Sequence, residues 1–456
     1  MHLTRRQFAA ITLATALPHA AGAQTPEASA LRDALNYQLW GSEADHRAGL
    51  TLIAERGTPD MAAALIRALR FSRSRRGAIA ATLETITGQD HGTDWFAWML
   101  WQEVNPQIVP HPVTVQFTRD VLLQIDPEFD VFLRPEYLDP AETRIRFEEV
   151  TWGGVRKDGI PSLDNPAMID AGAADYLRDE DLVFGVSING DTRAYPLRIM
   201  GWHEMFNDVI GGVPVALAYC TLCGSGILFE TQVPGFSEPL VFGSSGFLYR
   251  SNKLMFDRDS HTLWNQFTGR PVIGPFVGRD IALRQRPVVI TTWAKWRAAN
   301  PGTTVLSLDT GHRRDYGAGV VYADYFASPD LMFPARVDQA IHAQKDYVFA
   351  VRTTGAARAW PLGAFAERPV INDAIGATPL VLLGDPESRS ARAYERGDRR
   401  FETRDGALVS GGETWRLTED ALVAADGTRL PRVAGHIAYW FAWNNYLGDL
   451  ATVYEG

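Results

Sequence analysis

A repeated segment constrains the fold of this chain more than any other feature of its sequence. Residues Asp181–Leu197 align without gaps with Asp346–Leu362, 165 positions later, and nine of the seventeen paired positions are identical. The same spacing pairs Asn207-Asp208 with Asn372-Asp373. Self-similarity at a fixed spacing is the signature of a duplicated structural unit. The chain is therefore predicted to contain two copies of one domain.

The repeated unit is predicted to be rich in β-structure. Residues Asp181–Pro196 form two runs of β-branched and aromatic residues on either side of an Asn-Gly-Asp sequence, which predicts two short strands joined by a tight turn. We expect the first domain over residues 148–310 and a degenerate structural copy over residues 346–456. Two such units are expected to pack together with pseudo-twofold symmetry.

The residues before this domain follow a helical pattern. Met61, Leu65 and Leu69 recur at the spacing of one helix face, and a further periodic segment, Ala78–Thr87, stops at a glycine. Short helices with tight breaks predict an all-α unit over residues 28–125 that is similar to a small HEAT-type stack. We expect this unit to serve packing or to dock a protein partner. The predicted fold class is α+β, with this small unit before the duplicated β-rich domain.

The first 23 residues have the features of an export signal. Arg5 and Arg6 precede an apolar run, Phe8–Leu17, and Ala21-Gly22-Ala23 provides small residues at a cleavage site. The arginine pair favours a twin-arginine signal, with an ordinary secretory signal as the alternative. Either signal predicts a periplasmic protein that is cleaved near Ala23.

The charge of the chain argues against two classes of partner, and its hydropathy argues against a membrane span. The chain carries a formal net charge of -10, and removal of the signal takes away two arginines and no acidic residue. An acidic protein is a poor ligand for nucleic acid or anionic lipid. After the signal, no stretch reaches the ~18 uninterrupted apolar residues that a membrane-spanning helix needs. We therefore expect no nucleic-acid partner and no membrane span.

The two cysteines of the chain, Cys220 and Cys223, lie in one CxxCG turn between two predicted strands. Gly224 can adopt a positive φ, which lets backbone N–H groups turn toward the sulfurs and stabilise thiolate charge. This favours a metal-binding turn, whereas a CxxC of the thioredoxin type begins a helix. A redox-cycling dithiol and an inert structural disulfide are the two alternatives.

Two thiolates make half of a tetrahedral metal site, so a further ligand must come from elsewhere in the chain. His203 is the best candidate, because it precedes the hairpin that leads into the cysteines and strand pairing can return the turn toward it. The alternative for His203 is a half-buried histidine with its hydrogen bonds satisfied. Glu204 either orients a ligand histidine, accepts a proton or is an ion-paired carboxylate. Thiolates with an imidazole favour Cu(I), with zinc as the alternative.

The second copy lacks these residues. At the spacing of the repeat, the positions of Cys220, Cys223 and His203 are occupied by Asp385, Ser388 and Arg368. Residues that only the shared fold needs should persist in both copies, while residues that chemistry needs can survive in one. We therefore expect a single active site, in the first copy.

Several motifs of residues 148–310 together resemble the bacterial family catalogued as domain of unknown function 3179. The motifs are Trp152-Gly-Gly, Asp158-Gly-Ile-Pro161, Arg193-Ala-Tyr-Pro196, His203-Glu204 with Asn207-Asp208, Tyr219-Cys-x-Leu-Cys-Gly224, Phe242-Gly-x-Ser-Gly246 and Leu263-Trp-x-Gln266. The resemblance implies that His203, Glu204, Cys220 and Cys223 are the characteristic polar set of the family. The family name carries no activity.

The sequence leads to one functional hypothesis and two alternatives. The hypothesis is a periplasmic copper-dependent oxidoreductase with His203, Cys220 and Cys223 as metal ligands. Glu204 and the two cysteines are its expected catalytic residues, and its substrate is a small molecule or a thiol. The alternatives are a non-catalytic binding or assembly protein with a structural Cys220–Cys223 disulfide, and a thiol–disulfide oxidoreductase.

Overall fold

The computed structural model of the protein describes residues 25–448 and 451–456, and the predicted signal lies outside the described residues. The described chain has the predicted α+β fold, with helices first and sheets after them. None of its described helices combines the length and the apolar character that crossing a membrane requires.

Six α-helices form the N-terminal unit of the described chain, which confirms the predicted helical region. They are α1 (Pro26–Trp40), α2 (Glu43–Arg56), α3 (Ala62–Phe71), α4 (Arg76–Thr87), α5 (Trp95–Val104) and α6 (Val113–Ile125). Local sequence sets their ends: Ser42 and Asp45 form a capping box at the start of α2, and Gly57 ends it with φ 66°. Leu35, Leu65 and other apolar side chains of the helices share a core. The HEAT-type assignment stays a prediction.

The segment between the helical unit and the sheets is packed and apolar at its inner side. It forms short 3₁₀ turns, Pro127–Val131 and Pro135–Tyr137. The rings of Phe129 and Phe247 lie 4.5 Å apart, so the segment joins the core of the neighbouring sheet. This segment has polar residues and prolines on its outside, but its apolar inner side packs it firmly between the helical unit and the sheets.

The first half of the sheet-bearing region, which corresponds to the domain predicted over residues 148–310, contains three five-stranded sheets and two helices. The strands are β1 (Val150–Trp152), β2 (Leu163–Asp164), β3 (Met168–Asp170), β4 (Leu182–Ile188), β5 (Asp191–Pro196), β6 (Met205–Ile210), β7 (Val213–Cys220), β8 (Ser225–Glu230), β9 (Phe242–Tyr249), β10 (Asn252–Asp257), β11 (Leu263–Asn265), β12 (Arg270–Ile273), β13 (Gln285–Arg286), β14 (Val289–Thr292) and β15 (Thr304–Leu306). The helices are α7 (Leu197–His203) and α8 (Trp293–Ala299). The sheet orders are β1-β9-β10-β11-β12, β13-β8-β7-β6-β2 and β14-β4-β5-β15-β3.

The second half contains a four-stranded and an eight-stranded sheet. Its strands are β16 (Tyr347–Thr353), β17 (Ala356–Pro361), β18 (Val370–Ile375), β19 (Thr378–Asp385), β20 (Ser390–Glu395), β21 (Glu402–Arg404), β22 (Ala407–Ser410), β23 (Glu413–Leu417), β24 (Ala421–Ala424), β25 (Arg429–Val433), β26 (Gly435–Tyr439) and β27 (Ala451–Val453). Helix α9 (Ala323–Ala327) precedes them and α10 (Trp440–Leu447) lies between β26 and β27. The sheet orders are β26-β16-β17-β27 and β18-β19-β20-β25-β24-β23-β22-β21.

One sheet in each half has the same connectivity. In the first half, β4 pairs antiparallel with β14 and β5, and β5 pairs parallel with β15. In the second half, β16 pairs antiparallel with β26 and β17, and β17 pairs parallel with β27. The repeat predicts this agreement, while the pseudo-twofold relation of the halves stays a prediction.

The two halves share one hydrophobic core. Phe184 and Leu217 of the first half and Trp360 and Leu382 of the second are fully buried in a single cluster. Because burial of apolar area is the main favourable term in folding, the halves are expected to stabilise each other.

A long connection joins the halves. Residues 307–346, here called the strap, run from β15 to β16 and contain α9 as their one helix. Connections of this length inside a compact fold are uncommon and are often functional lids or binding loops. The strap contacts the cysteine turn through Tyr325.

Candidate active site

The cysteine turn connects β7 to β8, as the sequence predicts. Cys220 and Cys223 are joined by a disulfide, with their Cα atoms 5.2 Å apart. Gly224 follows with φ 60°, the left-handed conformation expected of it. A Cβ at Gly224 would lie 3.1 Å from the rings of Tyr347 and Tyr439, so the turn packs directly on the second half.

Both sulfur-bearing residues are buried, at 3% exposure for Cys220 and 0% for Cys223. The strap provides part of the cover. The hydroxyl of Tyr325 donates a hydrogen bond of 2.7 Å to the carbonyl of Leu222, inside the turn. The hydroxyl of Ser251 donates to the carbonyl of Pro334 in the strap. The strap therefore covers part of the cysteine turn.

Oxygen acceptors surround the sulfur of Cys223. The carbonyl oxygen of Ser251 lies 3.2 Å from Sγ, and Oδ1 of Asn252 lies 3.5 Å from it. In the reduced protein these oxygens can accept a hydrogen bond from an S–H group.

A buried ion pair lies beside the turn. Nζ of Lys253 is 2.9 Å from Oε2 of Glu204, and both side chains are at most 10% exposed. Oε1 of Glu204 accepts a hydrogen bond of 2.7 Å from Thr221, which stands between the two cysteines. The hydroxyl of Tyr322 in the strap is 3.3 Å from the same oxygen. Glu204 is thus an ion-paired carboxylate in contact with the cysteine turn.

His203 is buried and makes its hydrogen bonds elsewhere. Its Nδ1 lies 2.9 Å from the carbonyl oxygen of Pro161, and its Nε2 lies 2.6 Å from the hydroxyl of Tyr316. Burial lowers the pKa of His203 to about 4, so the ring is neutral near pH 7. A carbonyl only accepts, so Nδ1 carries the proton and Nε2 accepts from Tyr316.

The structure therefore divides the predicted site residues into two groups. Glu204, Cys220 and Cys223 lie together, whereas both ring nitrogens of His203 are occupied by Pro161 and the strap. In the part of the chain that the structure describes, no group of three or more His, Cys, Asp or Glu residues is placed to hold a metal ion. Metal binding by His203, Cys220 and Cys223 stays a prediction, and it requires a reduced pair and a reoriented histidine.

Unusual backbone conformations concentrate around the turn. Ten non-glycine residues of the described chain have positive φ, and five of them are Asn, Asp or His, which adopt this conformation most readily. The other five are Glu204, Arg250, Ser251, Tyr322 and Arg389. Each of these costs on the order of 1–3 kcal/mol and persists only where the surrounding structure enforces it.

Three of these five residues contact the cysteine turn or its ion pair, and the other two lie in neighbouring turns. Glu204 and Ser251 contact Thr221 and Cys223, and Arg250 forms the β9–β10 turn together with Ser251. Tyr322 contacts Glu204. The guanidinium of Arg389 lies 4.0 Å from the ring of Tyr347, which packs on Gly224.

A comparison with known families places this site in one of them. The model of the family described as protein of unknown function (DUF3179) matches residues 157–450. The chain belongs to the DUF3179 family. The match extends past residue 310, so the second half is part of the family's own unit. Comparison with curated proteins and with solved structures gives no match for this chain.

Sequence reasoning missed several contacts of this DUF3179 site. Lys253 lies inside β10, Asn252 begins that strand and Tyr322 lies in the strap, so no spacing connects them to the cysteines. The hydrogen-bonding partners of His203 in Pro161 and Tyr316 are equally distant in sequence. The one available signal was a lysine directly before the apolar run Leu254–Phe256.

Proposed function

We propose that this DUF3179 protein is an exported thiol–disulfide oxidoreductase whose redox-active group is the Cys220–Cys223 pair. The observation that carries the proposal is that three strained residues, Glu204, Ser251 and Tyr322, contact this one turn or its ion pair. Such strain persists where the surroundings enforce it, and it clusters at functional sites. An inert disulfide does not require a strained shell or a buried ion pair beside it.

The exchange begins at Cys220, because it retains some exposure while Cys223 has none. A substrate thiolate attacks the Cys220 sulfur, forms a mixed disulfide and displaces Cys223, which leaves with the bonding electron pair and takes up a proton. The oxygens of Ser251 and Asn252 then accept the S–H hydrogen bond. A second substrate thiolate attacks the substrate sulfur of the mixed disulfide, forms the substrate disulfide and displaces Cys220, which leaves with the bonding electron pair and takes up a proton. Two substrate thiols thereby lose two electrons and two protons to the cysteine pair.

Glu204 and Lys253 supply the charged groups of the mechanism. They lie against Thr221, between the cysteines, where a carboxylate and an ammonium can exchange protons with the turn. Their low exposure strengthens the electrostatic attraction between them.

Trapping the mixed disulfide tests the proposal. Cys223→Ser should leave Cys220 unable to resolve a mixed disulfide, so incubation with oxidised glutathione should give a stable adduct of one glutathione, measured by intact mass. Cys220→Ser should form this adduct more slowly, because Cys223 is more deeply buried. The double serine variant is the control for non-specific adducts. A native protein whose disulfide resists millimolar reduced thiol without unfolding would refute the proposal.

The burial of both cysteines favours a second candidate, a non-catalytic binding or assembly protein with a structural disulfide. The helical unit would then dock a protein partner. Mass spectrometry of protein alkylated under native conditions distinguishes the candidates, since a structural disulfide stays fully oxidised and does not exchange. Loss of partner capture on deletion of α1 and α2, with redox exchange absent, would support this alternative.

Copper, with zinc as the alternative, is the remaining candidate for the site. Soft thiolates at Cys220 and Cys223 with the imidazole of His203 would suit Cu(I). Such binding would need His203 to leave Pro161 and Tyr316. Elemental analysis of natively exported protein, compared with Cys220→Ser, tests it: stoichiometric metal that the variant loses would support it.

We also propose that the second half is a degenerate copy of the first. The residue of the second half at the position of Gly224 is Arg389, which keeps a positive φ of 54°. The hydrogen bonds of Asn207 to the backbone of Phe242 match those of Asn372 to Phe401. A turn that keeps its backbone but loses its thiols is what a duplication with one surviving site would leave. The test is superposition of the halves in an experimental structure.

A further inference from the structure

We propose that a cleft beside His203 binds a small ligand that carries a carboxylate or a phosphate group. The cleft has a volume of about 730 Å³ and lies between α7 and the start of the strap. Its charged lining residues are Arg198, Arg313, Arg314 and Asp315, with His312 next to them. This inference does not depend on the redox function proposed for the cysteines.

Arg198 is the fixed element of the cleft. Its Nη2 donates to both carboxylate oxygens of Asp181 at 2.6 Å, and its Nη1 donates to the carbonyl of Tyr176 at 2.8 Å. The side chain is 12% exposed. Its Nε–H group is buried and has no hydrogen-bond partner in the described chain. A buried donor without an acceptor is costly, and Arg198 lines the cleft, which makes its guanidinium a candidate donor to a ligand oxygen.

Two further arginines make the cleft positive in an otherwise acidic protein. Arg313 and Arg314 form no ion pair within the residues that the structure describes. Oδ1 of Asp315, the one carboxylate of the lining, accepts a hydrogen bond of 2.9 Å from the backbone of Gly317. The chain as a whole has a net charge of -10. This local excess of arginine selects an anion.

The wall of the cleft connects it to His203. Tyr316 lines the cleft, and its hydroxyl bridges Nε2 of His203 and the hydroxyl of Thr310, each at 2.6 Å. At the spacing of the repeat, Gly363 and Arg368 stand in place of Arg198 and His203, so the second half has no equivalent site. Planar guanidinium groups bind carboxylate and phosphate oxygens with two parallel hydrogen bonds. An oxyanion is therefore the ligand class that this cleft fits.

Calorimetric titration of the full chain tests the proposal. Inorganic phosphate and succinate are titrated separately at constant ionic strength. We expect saturable binding of at least one of them at millimolar concentrations. The double variant Arg313→Ala/Arg314→Ala should weaken binding about tenfold or more. Arg404→Ala, which removes an exposed arginine of β21 far along the chain from the cleft, should bind as the wild type does.

A second variant separates the binding role of Arg198 from its structural one. Arg198→Lys keeps a positive charge beside Asp181 but removes the Nε–H group, so it should fold and bind more weakly. Thermal melting confirms folding of each variant. Binding of phosphate alone, succinate alone or both supports an oxyanion site and assigns its preferred group. Absence of saturable binding to both, or equal binding by the double variant and the wild type, would overturn the proposal.

Discussion

Lys253 and Glu204, 49 residues apart in sequence, form a buried ion pair of 2.9 Å directly beside the residue that separates the two cysteines. Removal of one partner from such a pair leaves an uncompensated buried charge, which costs about 3–5 kcal/mol. Lys253→Met should therefore lower the free energy of unfolding by about that amount, measured by urea denaturation. Lys253→Met with Glu204→Gln should recover most of the loss, because no ion then stays unpaired.

An exposed ion pair provides the control for this experiment. Arg404 and Glu402 are both at least 60% exposed, and such pairs contribute about 0–1 kcal/mol. Arg404→Met should leave stability almost unchanged. A loss of less than about 1 kcal/mol in Lys253→Met would contradict the buried pair.

Gly224→Ala should destabilise the protein through two effects. Its φ of 60° costs an alanine about 1–2 kcal/mol, and the new Cβ would meet the rings of Tyr347 and Tyr439 at 3.1 Å. Gly397 has φ 55° with no atom within 4 Å of the corresponding Cβ, so Gly397→Ala carries the backbone cost alone. We expect the first variant to lose more stability in thermal melting than the second. Equal losses would show that the turn does not pack tightly on the second half.

Tyr325→Phe should expose the disulfide. The variant removes the hydrogen bond from the strap to the carbonyl of Leu222, which contributes about 0.5–1.5 kcal/mol. If opening of the strap limits access, reduction of the disulfide by a small thiol should become several-fold faster, measured by alkylation and mass analysis. Tyr37→Phe, in the exposed part of α1, should leave the rate unchanged. An unchanged rate in Tyr325→Phe would exclude this hydrogen bond as the barrier.

Acid should destabilise the protein through His436. Burial lowers the pKa of this histidine to about 3 from 6.5, with a smaller contribution from Arg352, so the folded state keeps it neutral. Below pH 6.5 the unfolded chain binds a proton that the folded chain does not, so stability falls as the pH falls from about 6.5 to about 3. The difference corresponds to a loss of up to about 5 kcal/mol.

His436→Leu provides the comparison, because leucine does not titrate. Its unfolding free energy should depend less steeply on pH over this range than that of the wild type. Identical slopes in the two proteins would show that His436 is not kept neutral by the fold.

The sequence by itself determined the local structure around the cysteines. Two strands flank the turn, Gly224 takes a positive φ, and Asn189-Gly190 closes the β4–β5 hairpin with φ 51° and 86°, because these features depend on neighbouring residues. The repeat also identified residues that serve the fold: Asp208 accepts hydrogen bonds from Arg193 and Tyr195. In the second half, Asp373 accepts them from Arg358 and Trp360.

Only the tertiary structure decided which side chains meet at the site. The sequence placed His203 and Glu204 side by side, but Glu204 contacts the cysteine turn while His203 is held by Pro161 and Tyr316. Lys253 pairs with Glu204, and Tyr316 of the strap holds His203. Both are distant in sequence and reach the site through sheet pairing and core packing. Spacing along the chain reports the contacts of one turn or one hairpin, whereas contacts between sheets depend on how the whole chain buries its apolar surface.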